Sequence, residues 1–153
     1  MKYKDVNGLK EIPKELPFFS REKWKFLWEN DRWDGPLAGV CEVEEEKYYF
    51  LYQDDIIHKL TEEEIRKMFD EDWEPPWWRR FYLVSLSDEE WKEEIQRHDD
   101  FCKYVGEHTD YNENGCRRWG ELKPYSEHHK FYDKYGEIER CFDENEVVGW
   151  IEI

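Results

Sequence analysis

The sequence predicts an α+β fold, a single domain over residues 1–153, with a mainly antiparallel sheet of about five strands and three to four helices packed on it. Two observations favour this fold: paired strand-like segments around short acidic turns, and two helix starts with strong capping signals. A third is the aromatic content of 18%, since Trp, Tyr and Phe supply apolar surface for a core although 41% of the residues are charged. Adjacent hairpins favour antiparallel pairing with the helices on one face of the sheet.

Strand-like segments occur as two pairs and one single segment. Residues 38–43 and 47–53 flank one acidic turn, and residues 138–142 and 147–153 flank another, so each pair predicts a hairpin. Residues 81–86 form the remaining strand-like segment. Together these segments predict five strands.

Two helices are expected to begin at capping boxes. Residues 61–64 read Thr-Glu-Glu-Glu and residues 87–90 read Ser-Asp-Glu-Glu, which allows the side chain of the first residue and that of the fourth to cap each other's backbone amides. The first helix is expected to end near Asp70 and the second near Gly106. Acidic residues in both first turns also suit the helix dipole.

The second of these helices carries a stripe of apolar and metal-ligating residue types. Trp91, Ile95, His98, Cys102 and Val105 recur at steps of three and four, so they are expected to share one inward side of the helix. In that position the histidine and the cysteine are either core residues or a pair of ligands one helical turn apart.

Two further helices have weaker signals. Ser20 is a candidate N-cap for a helix over residues 21–29, and Ser126 for a helix over residues 127–135. Gly136 follows the second of them as a C-terminal stop.

The net charge of −16 excludes several partners. The acidic excess is eight charges in residues 1–78 and eight in residues 79–153, so it is not held in a tail. Such a surface repels phosphates, which argues against direct nucleic-acid binding and against anionic membranes, and it attracts a basic protein. Neither a signal peptide nor a spanning apolar run is present in the sequence, which predicts a cytoplasmic protein whose four cysteines stay reduced.

Two segments combine aromatic and basic residues, one of them around a rigid di-proline. Tryptophan and arginine are the residues enriched at binding hot spots, and a loop ordered by proline loses less entropy on binding. Alternatively, the indoles cover the sheet and the arginines neutralise nearby acid. As binding residues the sequence predicts Trp73, Trp77, Trp78, Arg79, Arg80, Arg117, Arg118 and Trp119.

The preferred interpretation is a non-catalytic acidic domain that binds or neutralises a basic protein, without a cofactor. No nucleophile elbow, phosphate loop or paired-cysteine metal motif is present in the sequence. Two alternatives stay open: a metal-binding protein or small hydrolase centred on His98 and Cys102, and a small-molecule or carbohydrate binder that uses exposed indoles.

Overall fold

A computed structural model describes residues 1–33, 35–55, 61–67, 79–106, 110–114, 117, 120–138 and 140–153, and only the backbone of Ile65. Within these residues the chain forms one antiparallel sheet and four α-helices, so the predicted α+β class is confirmed. None of the described helices combines the length and the apolar character needed to cross a membrane.

The five strands lie in the sheet in their sequence order, and each pairs antiparallel with the next. They are β1 (Trp24–Arg32), β2 (Pro36–Val43), β3 (Glu46–Asp55), β4 (Arg79–Val84) and β5 (Val147–Glu152). The first predicted hairpin is confirmed as β2 and β3. Its two-residue turn places Glu44 and Glu45 at positive φ, the backbone conformation that tight hairpins require. The strands predicted for residues 81–86 and 147–153 are confirmed as β4 and β5.

The helices include both predicted capping boxes. The backbone amide of Glu64 donates to Thr61 Oγ1 over 3.2 Å, and that of Glu90 donates to Ser87 Oγ over 3.2 Å. In both boxes the glutamate also accepts from the backbone amide of the capping residue. The expected helix end at Asp70 lies outside the described residues. The helices are α1 (Tyr3–Val6), α2 (Glu62–Lys67), α3 (Asp88–Tyr104) and α4 (Tyr125–Tyr135), and a 3₁₀ turn covers Arg21–Lys23.

The helix predicted for residues 21–29 is wrong, because residues 24–29 lie in β1 and only residues 21–23 form a 3₁₀ turn. A β-bulge between Phe26 and Trp28 explains the helix-like spacing of its apolar residues. The extra residue moves Trp28 to the opposite face from Phe26, so both faces of one strand carry aromatic side chains.

The second predicted hairpin is also wrong. Residues 138 and 140–142 form no strand, and the outer edge of β5 is occupied by residues 17–19 instead. Phe19 N donates to the Trp150 carbonyl over 3.1 Å, and Trp150 N donates to the Pro17 carbonyl over 3.0 Å. These bonds use the edge groups of β5, and Phe142 of the preceding segment packs against Tyr49 on one face of the sheet.

Both long helices differ in detail from the prediction. On α3, Ile95 is 44% exposed and Glu94 is fully buried, so the inward side is rotated relative to the predicted stripe. Glu94 tolerates this position because Arg140 pairs with it. On α4, Pro124 rather than Ser126 is the N-cap residue and makes no side-chain cap.

Apolar side chains pack on both faces of the sheet. On one face Trp91 of α3 packs against the cluster formed by Val6, Leu16, Val40, Tyr49, Tyr82, Val84, Leu86 and Val147. The opposite face carries Trp24, Phe26, Cys41, Val43, Phe50, Phe81, Leu83 and Ile151. Helix α4 packs on α3, where Phe101 and Phe131 make an edge-to-face contact with centroids 5.0 Å apart. Helix α3 thus packs on the sheet, and helix α4 packs on α3.

Candidate functional site

The predicted binding residues do not form one described surface. Arg79 and Arg80 were expected in an exposed loop, and they lie in β4, each only 6% exposed. Arg117 is half-buried, with Nη2 3.6 Å from Glu29 Oε2. The remaining predicted residues lie outside the described part of the chain: Trp73, Trp77, Trp78, Arg118 and Trp119.

Arg79 is built into the end of the sheet where β1 turns into β2. Its Nη2 donates to the Trp33 carbonyl over 2.6 Å, and its Nη1 donates to the Pro36 carbonyl over 3.2 Å. Its Nε lies 3.4 Å from Asp55 Oδ1 on β3. Gly35 leaves room for this guanidinium, since a Cβ there would lie 3.2 Å from Nη1, and its φ of 144° is open to glycine. The predicted basic binding residue therefore braces a turn.

The side chain of Trp33, on this braced turn, points into solvent. It is 76% exposed, whereas the other described tryptophans are buried or half-buried. Asp31, two residues before Trp33, is exposed, and Asp55 pairs with the guanidinium of Arg79. An exposed indole at this turn was not predicted from the sequence.

A buried acidic group lies further along β1 and binds Arg117. Glu29 is 3% exposed and accepts from Arg32 Nη1 over 2.7 Å and from the Tyr111 hydroxyl. Burial and the hydrogen bond to this carboxylate raise the pKa of Tyr111. Arg117 pairs with Glu29, and Arg79 donates to the carbonyl of Trp33. Both guanidinium groups therefore already have partners within the chain.

His98 and Cys102 of α3 come together with Asp110, a residue that the sequence did not single out. His98 Nε2 lies 2.9 Å from Asp110 Oδ1 and 3.6 Å from Cys102 Sγ. All three ligand atoms lie within 4.8 Å of one another, and all three residues are half-buried. Burial disfavours the charged imidazole, but hydrogen bonds to Asp110 and Cys102 outweigh it and raise the pKa of His98 to about 9.

The cluster differs from a catalytic relay in one respect. In a nucleophile–histidine–carboxylate triad, the carboxylate and the nucleophile contact different nitrogens of the ring, so that one nitrogen takes the proton of the nucleophile while the carboxylate orients the ring through the other. Here Asp110 and Cys102 both lie at Nε2 of His98. The three ligand atoms converge on one point, an arrangement that suits shared coordination of an ion. The hydrolase alternative stays a prediction.

The indole of Trp28 and the edge of β1 hold the cluster in place. The indole of Trp28 stacks on the His98 ring with centroids 4.2 Å apart and an angle of 11°. Trp28 in turn donates from Nε1 to Glu94 Oε1 over 3.3 Å. Asp110 forms an antiparallel bridge with Trp28 on the outer edge of β1. The contact is therefore set by the packing of α3 on β1, which sequence periodicity does not encode.

A cavity of about 680 Å³ opens between α3 and α4. Four cationic side chains line it, and two acidic ones: Lys92, Arg97, Lys134, Arg140, Glu90 and Glu93. Among the described residues, no tryptophan lines this cavity. The cavity thus gives no support to ligand binding by stacked indoles, which remains a prediction.

The chain matches no protein-family model, no curated protein and no solved structure. Its fold and its side-chain geometry are therefore the basis for any functional assignment.

Proposed function

We propose that this chain is a non-catalytic protein-binding domain, and that it recognises a basic partner in the cytoplasm. The observation that carries the proposal is the exposed indole of Trp33 on a turn held by the buried Arg79. Tryptophan anchors dominate many interfaces, and an anchor on a rigid turn loses little entropy on binding.

Charge supports a basic partner in preference to a neutral one. The chain carries a net charge of −16, and the acidic Asp31 and Asp55 flank the turn that presents Trp33. Acidic groups around an aromatic anchor steer a basic protein toward it, while they repel nucleic acid and anionic lipid.

Two of the predicted binding residues are neighbours of Arg79 in the sequence. Trp77 and Trp78 directly precede Arg79, the residue whose guanidinium holds the Trp33 turn. We include these two indoles in the proposed recognition surface. Arg79 holds the turn through its hydrogen bond to Trp33. Neither Arg79 nor Arg80 contacts the partner in this proposal, because both are buried.

The cytoplasmic setting is supported by the cysteines. Cys41, Cys102 and Cys141 are free thiols, as expected where thiols are kept reduced.

A peptide-display selection tests this proposal without knowledge of the partner. Random peptides are selected on the wild-type chain, and the enriched peptides are then bound to Trp33→Ala and to Tyr125→Ala. The second variant is a matched control, because Tyr125 is an aromatic residue of α4 that is also widely exposed. We expect peptides rich in Lys and Arg that bind Trp33→Ala at least about tenfold more weakly, with Tyr125→Ala unchanged.

The salt dependence of the same peptides tests the charge component. Their association rate is expected to fall as ionic strength rises, since screening weakens steering between exposed charges. Selection of uncharged peptides, equal binding to both variants, or a rate independent of salt would each contradict the proposal.

A further inference from the structure

We propose that His98, Cys102 and Asp110 bind a divalent transition metal ion, and that Zn²⁺ is the ion that fits best. This inference is independent of the protein-binding proposal, because the cluster lies between α3 and the outer edge of β1 and not on the Trp33 turn.

The separations between the ligand atoms support the assignment. Zinc bonds of about 2.0 Å to nitrogen and oxygen and about 2.3 Å to sulfur place tetrahedral ligand atoms roughly 3.3–3.6 Å apart. The Nε2 of His98 lies 3.6 Å from Cys102 Sγ, which is already this separation. The 2.9 Å distance from the same nitrogen to Asp110 Oδ1 has to widen by only a few tenths of an ångström.

The three ligands come from backbone that is already ordered. His98 and Cys102 lie one turn apart on α3, a helix of 17 residues with a complete capping box. Asp110 is held on β1 through its bridge to Trp28 and through the next amide, since Tyr111 N donates to the Leu27 carbonyl over 3.0 Å. Such a site binds an ion without first paying to order its ligands.

The ring of the histidine is also oriented. Trp28 stacks flat on His98, and Glu94 accepts a hydrogen bond from Trp28 Nε1, so the imidazole is held in the plane that directs Nε2 at the cluster. Support of this kind around a ligand is typical of metal sites.

The donor set selects the metal. One imidazole nitrogen, one sulfur and one carboxylate oxygen suit zinc, whereas Mg²⁺ and Ca²⁺ take oxygen ligands almost exclusively. Three protein ligands leave one tetrahedral position for water. The half-buried position of all three residues leaves the cluster open enough for an ion to enter.

The competing explanation is a structural ion pair between His98 and Asp110, with the thiol packed beside it. The two explanations make different predictions about metal content, because an ion pair needs no metal.

The test measures metal directly on the full chain. The protein is expressed without a polyhistidine tag, is purified without a metal column, and is analysed by inductively coupled plasma mass spectrometry. The metal is then removed and replaced by Co²⁺, whose thiolate charge-transfer and ligand-field bands report a tetrahedral site with a sulfur ligand. We expect about one zinc per chain and both cobalt bands.

Three substitutions and three matched controls locate the site. The ligand variants are His98→Ala, Cys102→Ser and Asp110→Asn, and each is expected to lose at least about tenfold in Co²⁺ affinity. The controls are His129→Ala, Cys141→Ser and Asp99→Asn, which change the same residue types at exposed positions and are expected to bind like the wild type.

Folding of the variants is checked by far-ultraviolet circular dichroism, so that loss of metal is not confused with loss of structure. Should a ligand variant fail to fold, the wild-type chain still decides by competition between Zn²⁺ and a chromophoric chelator. Absence of zinc from the purified chain together with no Co²⁺ bands at micromolar metal would overturn the proposal. Binding that survives in all three folded ligand variants would overturn it as well.

Discussion

The guanidinium of Arg79 donates a 2.6 Å hydrogen bond to the carbonyl of Trp33, although 46 residues separate the two in the chain. The arginine lies in the inner strand β4 and the tryptophan follows the edge strand β1, so this bond joins two strands that are not neighbours in the sheet. It joins a buried guanidinium to the most exposed described indole. The proposed recognition surface therefore depends on a residue that is itself hidden from any partner.

Arg79→Lys is expected to loosen this turn. Lysine keeps the positive charge but not the planar fork, so it cannot serve the carbonyls of Trp33 and Pro36 together with Asp55. We expect the free energy of unfolding to fall by about 1–3 kcal/mol, the usual cost of buried acceptors left without donors. Urea denaturation measures it. Arg66→Lys, at an exposed position on α2, is the control and is expected to have little effect.

Removal of the Arg140 side chain is expected to lower the free energy of unfolding further, because it leaves a buried charge without its partner. Glu94 is fully buried, and Arg140 and Asn30 both reach its carboxylate. We expect Arg140→Met to lower the free energy of unfolding by about 3–5 kcal/mol. The double variant Glu94→Gln with Arg140→Met is expected to recover part of that loss, since the amide carries no charge. Additive effects in this double-mutant cycle would show that the pair is not coupled.

Replacement of the serine near the start of each long helix by alanine is expected to lower stability in α3 but not in α4. Ser87 caps α3 through the Glu90 amide, so Ser87→Ala is expected to cost about 1 kcal/mol. Ser126 lies inside the first turn of α4 and is not its N-cap residue, so Ser126→Ala is expected to be close to neutral. Thermal and urea unfolding of the two variants measure the difference. Equal losses would mean that α4 is capped by its serine after all.

Acidification is expected to weaken the link between α3 and the segment before β5. Burial opposes ionisation of Glu90, but hydrogen bonds from the Ser87 backbone amide and the Asn145 amide outweigh it and lower the pKa of Glu90 below its ordinary value of 4.5. The stabilisation is therefore fully present above about pH 4.5 and is lost as the pH falls through the lowered pKa.

Glu90→Gln tests this pH dependence, because glutamine keeps the capping box while it removes the titration. Unfolding free energies are measured by urea from neutral pH down to pH 3. The variant is expected to lose less stability than the wild type over the acidic range, and Asn145→Ala, which removes one donor to the carboxylate, should lie between them. An identical acid loss in wild type and Glu90→Gln would assign that loss to other carboxylates.

Features with short-range causes were predicted well. Both capping boxes and the hairpin of β2 and β3 depend on contacts between residues a few positions apart. The strand β1 was mistaken for a helix because a bulge imitates helical spacing, and a bulge forms only against a partner strand. The edge of β5 was assigned to the preceding segment, whereas residues 17–19 reach it from the far end of the chain.

For the candidate sites too, local features could be predicted from the sequence and long-range contacts could not. The spacing of His98 and Cys102 on one side of a helix was readable from the sequence, since four residues make one turn. That Asp110 completes the cluster was not readable, because the bridge of Asp110 to β1 depends on how α3 packs on the sheet. The burial of Arg79 and Arg80 was likewise hidden, as basic pairs are usually exposed.

The sequence by itself determined the fold class, the capped helix starts, the tight hairpin and the acidic character, because each follows from local backbone chemistry or from composition. For the described residues, tertiary structure alone decided which strand lies at each edge, which charges are buried, and which of the described indoles is exposed. The physical reason is that ion pairs such as that of Glu94 with Arg140, and the meeting of His98 with Asp110, are selected by packing between distant segments. Local periodicity carries no information about that packing.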